Sequence, residues 1–262
     1  MNTKTEPDSR TVLQVNEATL DFGGLRALSR VNMTINPGLI TSVIGPNGAG
    51  KTSLLNCVSG FYHLTRGDIY YGERRLTQAS PHQVSNLGIA RAFQNIELFS
   101  GMTVLDNLLL ARHQNLKYNF LQALLYYGRT SRLEAENRAY VEDVIDFMEL
   151  EPYRKRTVGS LSYGVQKRVE VARALTLGPD LLLLDEPMAG MNIEEKEDMV
   201  RFILDIQTER EITVVLVEHD LGVVMDISDQ IYVLDFGQLI GEGQPDEVAA
   251  NPKVIEAYIG ED

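Results

Sequence analysis

Three short stretches carry residues whose types and spacing can do chemistry on a phosphate. The first, Gly45-Pro46-Asn47-Gly48-Ala49-Gly50-Lys51-Thr52, fits G-x-x-x-x-G-K-[ST]. Glycines let backbone N–H groups turn inward around an anion, and a helix starting near Lys51 adds the positive end of its dipole. Lys51 supplies a point charge for the β and γ phosphates of a nucleotide, and the Thr52 hydroxyl is placed to ligate Mg²⁺. The second stretch, Leu181-Leu182-Leu183-Leu184-Asp185-Glu186, is an apolar run ending in two adjacent acids. Asp185 is suited to hold Mg²⁺ directly or through water. Glu186 is suited to orient or deprotonate an attacking water, although a carboxylate there can also cap a helix or face solvent. The third, Ile212 to Val217, ends in Glu218-His219-Asp220, where a histidine can reach a γ-phosphate or serve structure alone. The three together indicate nucleotide hydrolysis or phosphoryl transfer, without saying what the energy drives.

The elements around these stretches must bring them to one place. Thr11 to Phe22 alternates in character and predicts a strand, Asn36-Pro37-Gly38 a turn, and Leu39 to Ile44 an apolar strand leading into the Gly-rich loop. Gly67 to Tyr71 predicts a further short strand. From about Gln94 to Gly159 the pattern becomes helical: Val141, Val144, Ile145 and Met148 recur at the spacing of one buried helix face, and Phe120, Leu121, Leu124 and Leu125 form a second apolar patch. A helix from Gly164 to about Leu177 ends at Gly178-Pro179. The strand at Leu181 to Leu184, a helix over Ile193 to Gln207 and the strand at Ile212 to Val217 follow. Strands apolar on both faces that alternate with helices predict an α/β fold with a parallel sheet covered on two sides. Cys57, six residues beyond Lys51, is expected to act as a small buried hydrophobe.

Length and charge narrow the class. At roughly 150 residues per domain, 262 residues fit one large domain or a core with a sizeable insertion. Hydrophobic residues at 44% and charged residues at 23% exclude a disordered or collagen-like chain. No apolar run approaches the ~18 residues that span a bilayer. The polar start, Met1 to Arg10, lacks the apolar core of a signal peptide, so the chain is expected to stay in the cytosol. One cysteine excludes an intramolecular disulfide and a cysteine-rich metal site. The net charge of −13 argues against broad nucleic-acid binding. That charge is uneven: residues 185–262 hold 20 acids and 4 bases, leaving the earlier part slightly basic and less repulsive to an anion.

Leu161-Ser162-Tyr163-Gly164-Val165-Gln166-Lys167-Arg168, its serine 23 positions before Asp185, resembles the LSGGQ signature of ATP-binding-cassette (ABC) ATPases. The order of the remaining motifs matches that family from about residue 12 onward. Phe22 resembles the aromatic that stacks on adenine, Gln94 in Arg91-Ala92-Phe93-Gln94-Asn95 the Q-loop glutamine, His219 the switch histidine, and Ala189-Gly190-Met191-Asn192 the D-loop. Within the family the likeness is to the ATP-binding subunits of bacterial branched-chain (hydrophobic) amino-acid importers. It lies in Phe22 to Leu28, Gly88 to Gln94, Asp185 to Asn192 and the ending Ile255 to Gly260. Three positions depart from the wider pattern. Tyr163 replaces Gly and Asn192 replaces Asp, as in this importer branch, and Val165 replaces Gln, with Gln166 one place later.

The resemblance implies a P-loop NTPase (RecA-like) parallel-sheet core with an N-terminal antiparallel β subdomain and an inserted α-helical subdomain. The implied division is a tail at 1–10 and one ABC ATPase domain at 11–262, with 11–93 and 161–262 as the nucleotide-binding core and 94–160 as the insertion. It implies ATP and Mg²⁺ as ligands, with Phe22, Gly45 to Thr52 and Ser53 binding nucleotide, and Thr52, Gln94 and Asp185 holding the metal. Glu186, His219 and Gln94 would carry catalysis. Two chains would meet head to tail so that Ser162, Tyr163, Gly164 and Gln166 of one complete the ATP site of the other. The implied partners are a second ABC ATPase subunit (a homodimer and a heterodimer are equally open), transmembrane permease subunits and, indirectly, a substrate-binding protein. Nucleic acid is not among them. The implied place is the cytoplasmic face of the inner membrane. The groove near Gln94, with Phe93, Phe99 and the Phe120 to Leu125 helix, either receives a membrane subunit or is ordinary packing. The competing class is a soluble, non-transport ABC ATPase, and the transported molecule is left open.

Overall fold

A computed structural model of the chain describes residues 12–113 and 129–259. The N-terminal tail and the apolar patch at Phe120 to Leu125 lie outside the described residues. The chain opens on β1 (Leu13–Phe22) and β2 (Leu25–Ile35), followed by β3 (Ile40–Ile44) and α1 (Lys51–Val58). Then come β4 (Arg66–Tyr71), β5 (Arg74–Arg75), α2 (Pro81–Ser85) and β6 (Ile89–Ala92). Helices α3 (Val104–His113) and α4 (Arg129–Phe147) precede α5 (Tyr163–Leu175) and β7 (Leu181–Asp185). The last part runs α6 (Ile193–Glu209), β8 (Thr213–Val217), α7 (Leu221–Ile227), β9 (Gln230–Asp235), β10 (Gln238–Gly243), α8 (Pro245–Ala249) and α9 (Pro252–Ile259).

Two sheets result. The first is antiparallel, in the order β2-β1-β4-β5, and the second is six-stranded, in the order β10-β9-β3-β8-β7-β6. Within the larger sheet β9, β3, β8, β7 and β6 are parallel, and only β10 runs antiparallel, on β9. The all-apolar strands have the two-sided burial their composition predicts. Leu181, Leu183, Val215 and Val217 pack with the antiparallel sheet and α1, where Cys57 is also buried. Leu182, Leu184, Val214 and Leu216 pack on the opposite face with α3, α4, α5 and α6. Val141, Val144, Ile145 and Met148 of α4 are all buried in that second cluster, as their spacing predicts. The described parts of 94–160 thus share a core with one face of the parallel sheet.

The sheet order decides where the chemistry goes. Strands β3, β8, β7 and β6 are neighbours running the same way, with Val43 opposite Val217, Val217 opposite Asp185, and Leu184 opposite Ala92. Their carboxyl ends therefore deliver, side by side, the Gly-rich loop, Glu218-His219, Asp185-Glu186 and Phe93-Gln94. That edge is where an open parallel sheet collects its ligand.

Candidate active site

The loop between β3 and α1 has a shape that side chains would spoil. Gly45 has φ +144°, and a β-carbon there would strike the Leu234 carbonyl. The loop is pinned from the flank where the Gly237 N–H donates to the Ala49 carbonyl at 2.9 Å. Lys51 is only 7% exposed and folds its ammonium back into the loop, donating to the Gly45 carbonyl at 2.6 Å and the Pro46 carbonyl at 2.9 Å. The charge is thereby held over the loop with its aliphatic stem out of water. Thr52 is exposed at the start of α1 and Ser53 is half-buried beside it.

Asp185, 1% exposed at the end of β7, uses its two oxygens differently. Oδ2 accepts from Arg91 Nη2 at 2.6 Å, while Oδ1 is buried without a hydrogen-bond partner. A buried carboxylate oxygen without a donor costs free energy unless something cationic or wet meets it. The donor set also suits a hard cation: Asp185 Oδ1 and the Thr52 hydroxyl are oxygen ligands, and Mg²⁺ keeps several waters in such sites. Arg91 reaches further, donating through Nη1 to Asn56 Oδ1 at 2.7 Å and Ser59 Oγ at 3.0 Å. It thereby ties α1 to β7.

Glu186 adopts φ +49°, a left-handed conformation that costs a non-glycine residue on the order of 1–3 kcal/mol. Its N–H is satisfied by the Val217 carbonyl at 2.9 Å, so the turn is fixed by the neighbouring strand end. The carboxylate meets Gln94 Nε2 at 2.7 Å and lies 4.0 Å from His219 Nδ1. Gln94, Glu186 and His219, far apart in sequence, form one constellation. His219 itself is 60% exposed, free to address a ligand arriving from solvent.

Behind this layer stands Glu218, fully buried, with Oε1 accepting from the Met188 N–H at 3.0 Å and Oε2 from the His219 N–H at 3.2 Å. Burial pushes its carboxyl above the usual range, opposed by those two N–H donors. It fixes the turn after Glu186 and the histidine backbone at once. Sequence reasoning missed Glu218, and it quoted Arg91 without giving it a role. A charged residue inside or just past an apolar strand was the available signal in both cases.

The other predicted residues lie apart from this cluster. Phe22 is 43% exposed and meets Tyr62 edge-to-face, with centroids 5.1 Å apart. Ser162 caps α5, its hydroxyl accepting from the Val165 N–H at 3.4 Å, and Tyr163 is 44% exposed. The Tyr163 ring lies on the D-loop, so close that a β-carbon at Gly190 would come within 3.1 Å of it. Gly164 is buried where a β-carbon would run into the Glu195 side chain. Gln166 turns back to donate to the Leu161 carbonyl at 2.9 Å. Val165 has a structural reason: it is half-buried against the core of α4 to α6. Asn192 has one too, since it caps α6 by accepting from the Glu195 N–H at 2.9 Å, while Glu195 returns a bond to the Asn192 N–H at 3.3 Å. An amide does this as well as a carboxylate.

A groove of about 850 Å³ opens beside Gln94, lined in part by Phe61, Phe93, Phe99, Leu110, Arg91 and Arg173. Phe61 and Phe93 meet edge-to-face with centroids 5.6 Å apart, and the Arg91 guanidinium lies 4.8 Å from the Phe93 ring centroid.

Comparison with known proteins identifies the family. The family model described as ABC transporter matches residues 28–189, and that of the branched-chain amino acid ATP-binding cassette transporter matches residues 238–262. The chain is 40% identical over 253 residues to the high-affinity branched-chain amino acid transport ATP-binding protein BraF of Pseudomonas aeruginosa, covering 97% of this chain and 99% of BraF. It is 39% identical over the same shares to the corresponding protein LivG of Escherichia coli K12. Among solved structures, a nucleotide-free ATP-binding cassette from an ABC transporter superposes with a TM-score of 0.82 at 33% identity, covering 95% of this chain and 99% of that one. With the motifs gathered on one sheet edge and the match running through nearly the whole length, the chain belongs to the ATP-binding subunits of ABC transporters.

Proposed function

We propose that the chain is the ATP-hydrolysing subunit of a membrane importer for branched-chain amino acids or similarly small organic solutes, working as one of two paired cassettes. The observation that carries the ATPase reading is the meeting of Gln94, Glu186 and His219 beside a buried Asp185 with one unpartnered oxygen. Import and the substrate class rest on what the relatives BraF and LivG are named for.

In this reading the Gly45 to Gly50 backbone and Lys51 bind the phosphates, Ser53 adds a hydroxyl, and Phe22 faces the adenine. Lys51 leaves the carbonyls of Gly45 and Pro46 for the β and γ phosphates, exchanging two neutral acceptors for charged ones. Thr52, Gln94 and Asp185 hold Mg²⁺, which when bound supplies positive charge to the phosphate oxygens. Glu186 takes the proton of the attacking water, oriented by Gln94, and His219 addresses the γ-phosphate from the exposed side. Ser162, Tyr163, Gly164 and Gln166 complete the site of the paired cassette, where the start of α5 offers its N–H groups to the γ-phosphate. Loss of that phosphate removes contacts that favour the closed pair, and the difference in affinity between the two states does the work.

The groove beside Gln94 takes the permease, with 94–160 as the arm that frames it. Its exposed aromatics Phe61 and Phe99, 51% and 56% accessible, supply apolar area for a short helix at the membrane's cytoplasmic face. Among the described residues no helix is long and apolar enough to cross a membrane, consistent with a subunit that borrows its membrane passage from a partner.

The test is reconstitution. The complex is isolated with its permeases, placed in vesicles and supplied with binding protein loaded with leucine, isoleucine or valine. ATP hydrolysis should rise several-fold and labelled amino acid should accumulate inside. Hydrolysis with no response to any loaded binding protein, and a chain that stays in the supernatant when membranes are spun down, would favour a non-transport ATPase instead.

A further inference from the structure

One face of α5 does something the proposed reaction does not use. Lys167, Glu170 and Arg173 stand at three-residue intervals and so share a side of the helix. All three grip the chain segment that carries Gln94. The Lys167 ammonium, on a side chain 1% exposed, donates to the carbonyl of Gln94 itself. Glu170, also 1% exposed, accepts from the Glu97 N–H at 3.5 Å, and Arg173 donates to the Glu97 carbonyl at 2.6 Å. Glu170 and Arg173 are themselves joined at 3.4 Å.

Two buried charges on one helix face need a reason. Burial pulls the Lys167 ammonium below its ordinary range, and the carboxylates of Glu170, Glu218, Asp185 and Glu186 oppose that pull. A hydrophobic side chain of the same length would often cost the fold nothing, because desolvating an ion is expensive and its partners recover only part of the loss. A methionine could fill the space. It could not hold a carbonyl.

The start of the same helix is Ser162, whose hydroxyl caps it, and the rise of an α-helix puts Lys167 roughly 7–8 Å further along the axis. We propose that Lys167 is a positioning residue that couples the two ATP sites of a cassette pair. When a nucleotide on the facing cassette engages the Ser162 end, α5 moves as a rod, Lys167 carries the Gln94 backbone with it, and the Gln94 amide resets Glu186 in this chain's own site. Each link is a bond described above: Ser162 to α5, Lys167 to Gln94, Gln94 Nε2 to Glu186 Oε2. Glu170 and Arg173 keep the segment from pivoting about a single contact. The inference rests on the paired-site reading of the previous subsection.

The experiment compares wild type, Lys167→Met and Lys167→Arg in the reconstituted complex, following hydrolysis against ATP concentration. Wild type should be cooperative. Lys167→Met should bring the Hill coefficient to about one and lower kcat by about 5-fold or more, the low end of ordinary coupling energies, with KM within 2-fold. Lys167→Arg, which can still donate to the carbonyl, should restore cooperativity. In the isolated full-length chain, amide hydrogen exchange at 93–97 should be faster in Lys167→Met and near wild type in Lys167→Arg. If Lys167→Met does not accumulate folded, Lys167→Leu, which also lacks a donor, replaces it in both measurements. A cooperative Lys167→Met beside a cooperative wild type, or unchanged exchange at 93–97, overturns the coupling alone. A wild-type coefficient of one overturns the paired-site reading, and the coupling with it.

Discussion

Two helix starts in this protein are suited to meet a phosphate, and they are built to different plans. At α1 the loop is locked by its own backbone, Lys51 is withdrawn among its carbonyls, and the neighbouring strands deliver Asp185 and Glu186 within the same chain. At α5 Ser162 and Tyr163 lie exposed, with the Tyr163 ring against Gly190 of the D-loop and Glu195 of α6 against Gly164. The first is a site in one chain. The second offers a hydroxyl and a helix end outward. The contrast teaches that the first helix start is surrounded by groups of this chain's own strands, while the second, on the proposed reading, would lend its groups to another cassette.

Breaking the first half should have the largest effect. Glu186→Gln keeps the hydrogen-bond shape offered to Gln94 but removes the base, so hydrolysis should fall by about 10²–10⁴-fold, the range of a general base. ATP binding should persist, and paired cassettes should accumulate in size-exclusion chromatography with ATP. Near-normal turnover would remove Glu186 from the mechanism.

The next pair of variants sets the two helix starts directly against each other. Lys51→Ala deletes a charged donor worth about 1.5–3 kcal/mol to a phosphate, so equilibrium dialysis should show ATP binding to the single chain weakened roughly 10- to 150-fold. Ser162→Ala should leave single-chain ATP binding unchanged and weaken only the ATP-dependent pairing, by about 10-fold or more for one hydrogen bond to a charged phosphate. Equal effects on single-chain binding would erase the distinction drawn above.

Much of this contrast was legible in the residues. The Gly45 to Thr52 spacing and the acids closing an apolar run specified both a loop and its place, because parallel strands open on one edge. The strands at Leu181 and Ile212 were plain since both their faces are apolar. Less legible was β6, whose Ile89-Ala90-Arg91-Ala92 hides a buried strand behind a charged residue; its ion pair with Asp185 and its bonds to Asn56 and Ser59 explain the arginine. Strands β9 and β10 and helix α7 were not foreseen, although β9 carries the same short apolar run as the strands that were. The grip of Lys167, Glu170 and Arg173 could not be read either, because a helix with three charges at that spacing ordinarily signals a solvated face. Side chains whose partners come from distant parts of the chain were legible only where a family pattern named them.

The departures from the family pattern supply the smallest and cleanest prediction. If Asn192 stands where relatives have Asp only because either residue caps α6, then Asn192→Asp should change stability by less than about 0.5 kcal/mol. Asn192→Ala should cost about 1 kcal/mol through loss of the bond to the Glu195 N–H, a shift of about 2–4 °C in Tm for a chain this size. The Glu195 carboxylate keeps its bond from the residue 192 backbone N–H in either variant and packs on Gly164, so the cap and the start of α5 are joined through that carboxylate. Glu195→Ala, which removes that carboxylate, should therefore loosen the Ser162 end, seen as faster amide exchange at 162–165, while exchange at 45–52 stays unchanged. A cap that matters equally to both helix starts would show the two plans to be less separate than their geometry.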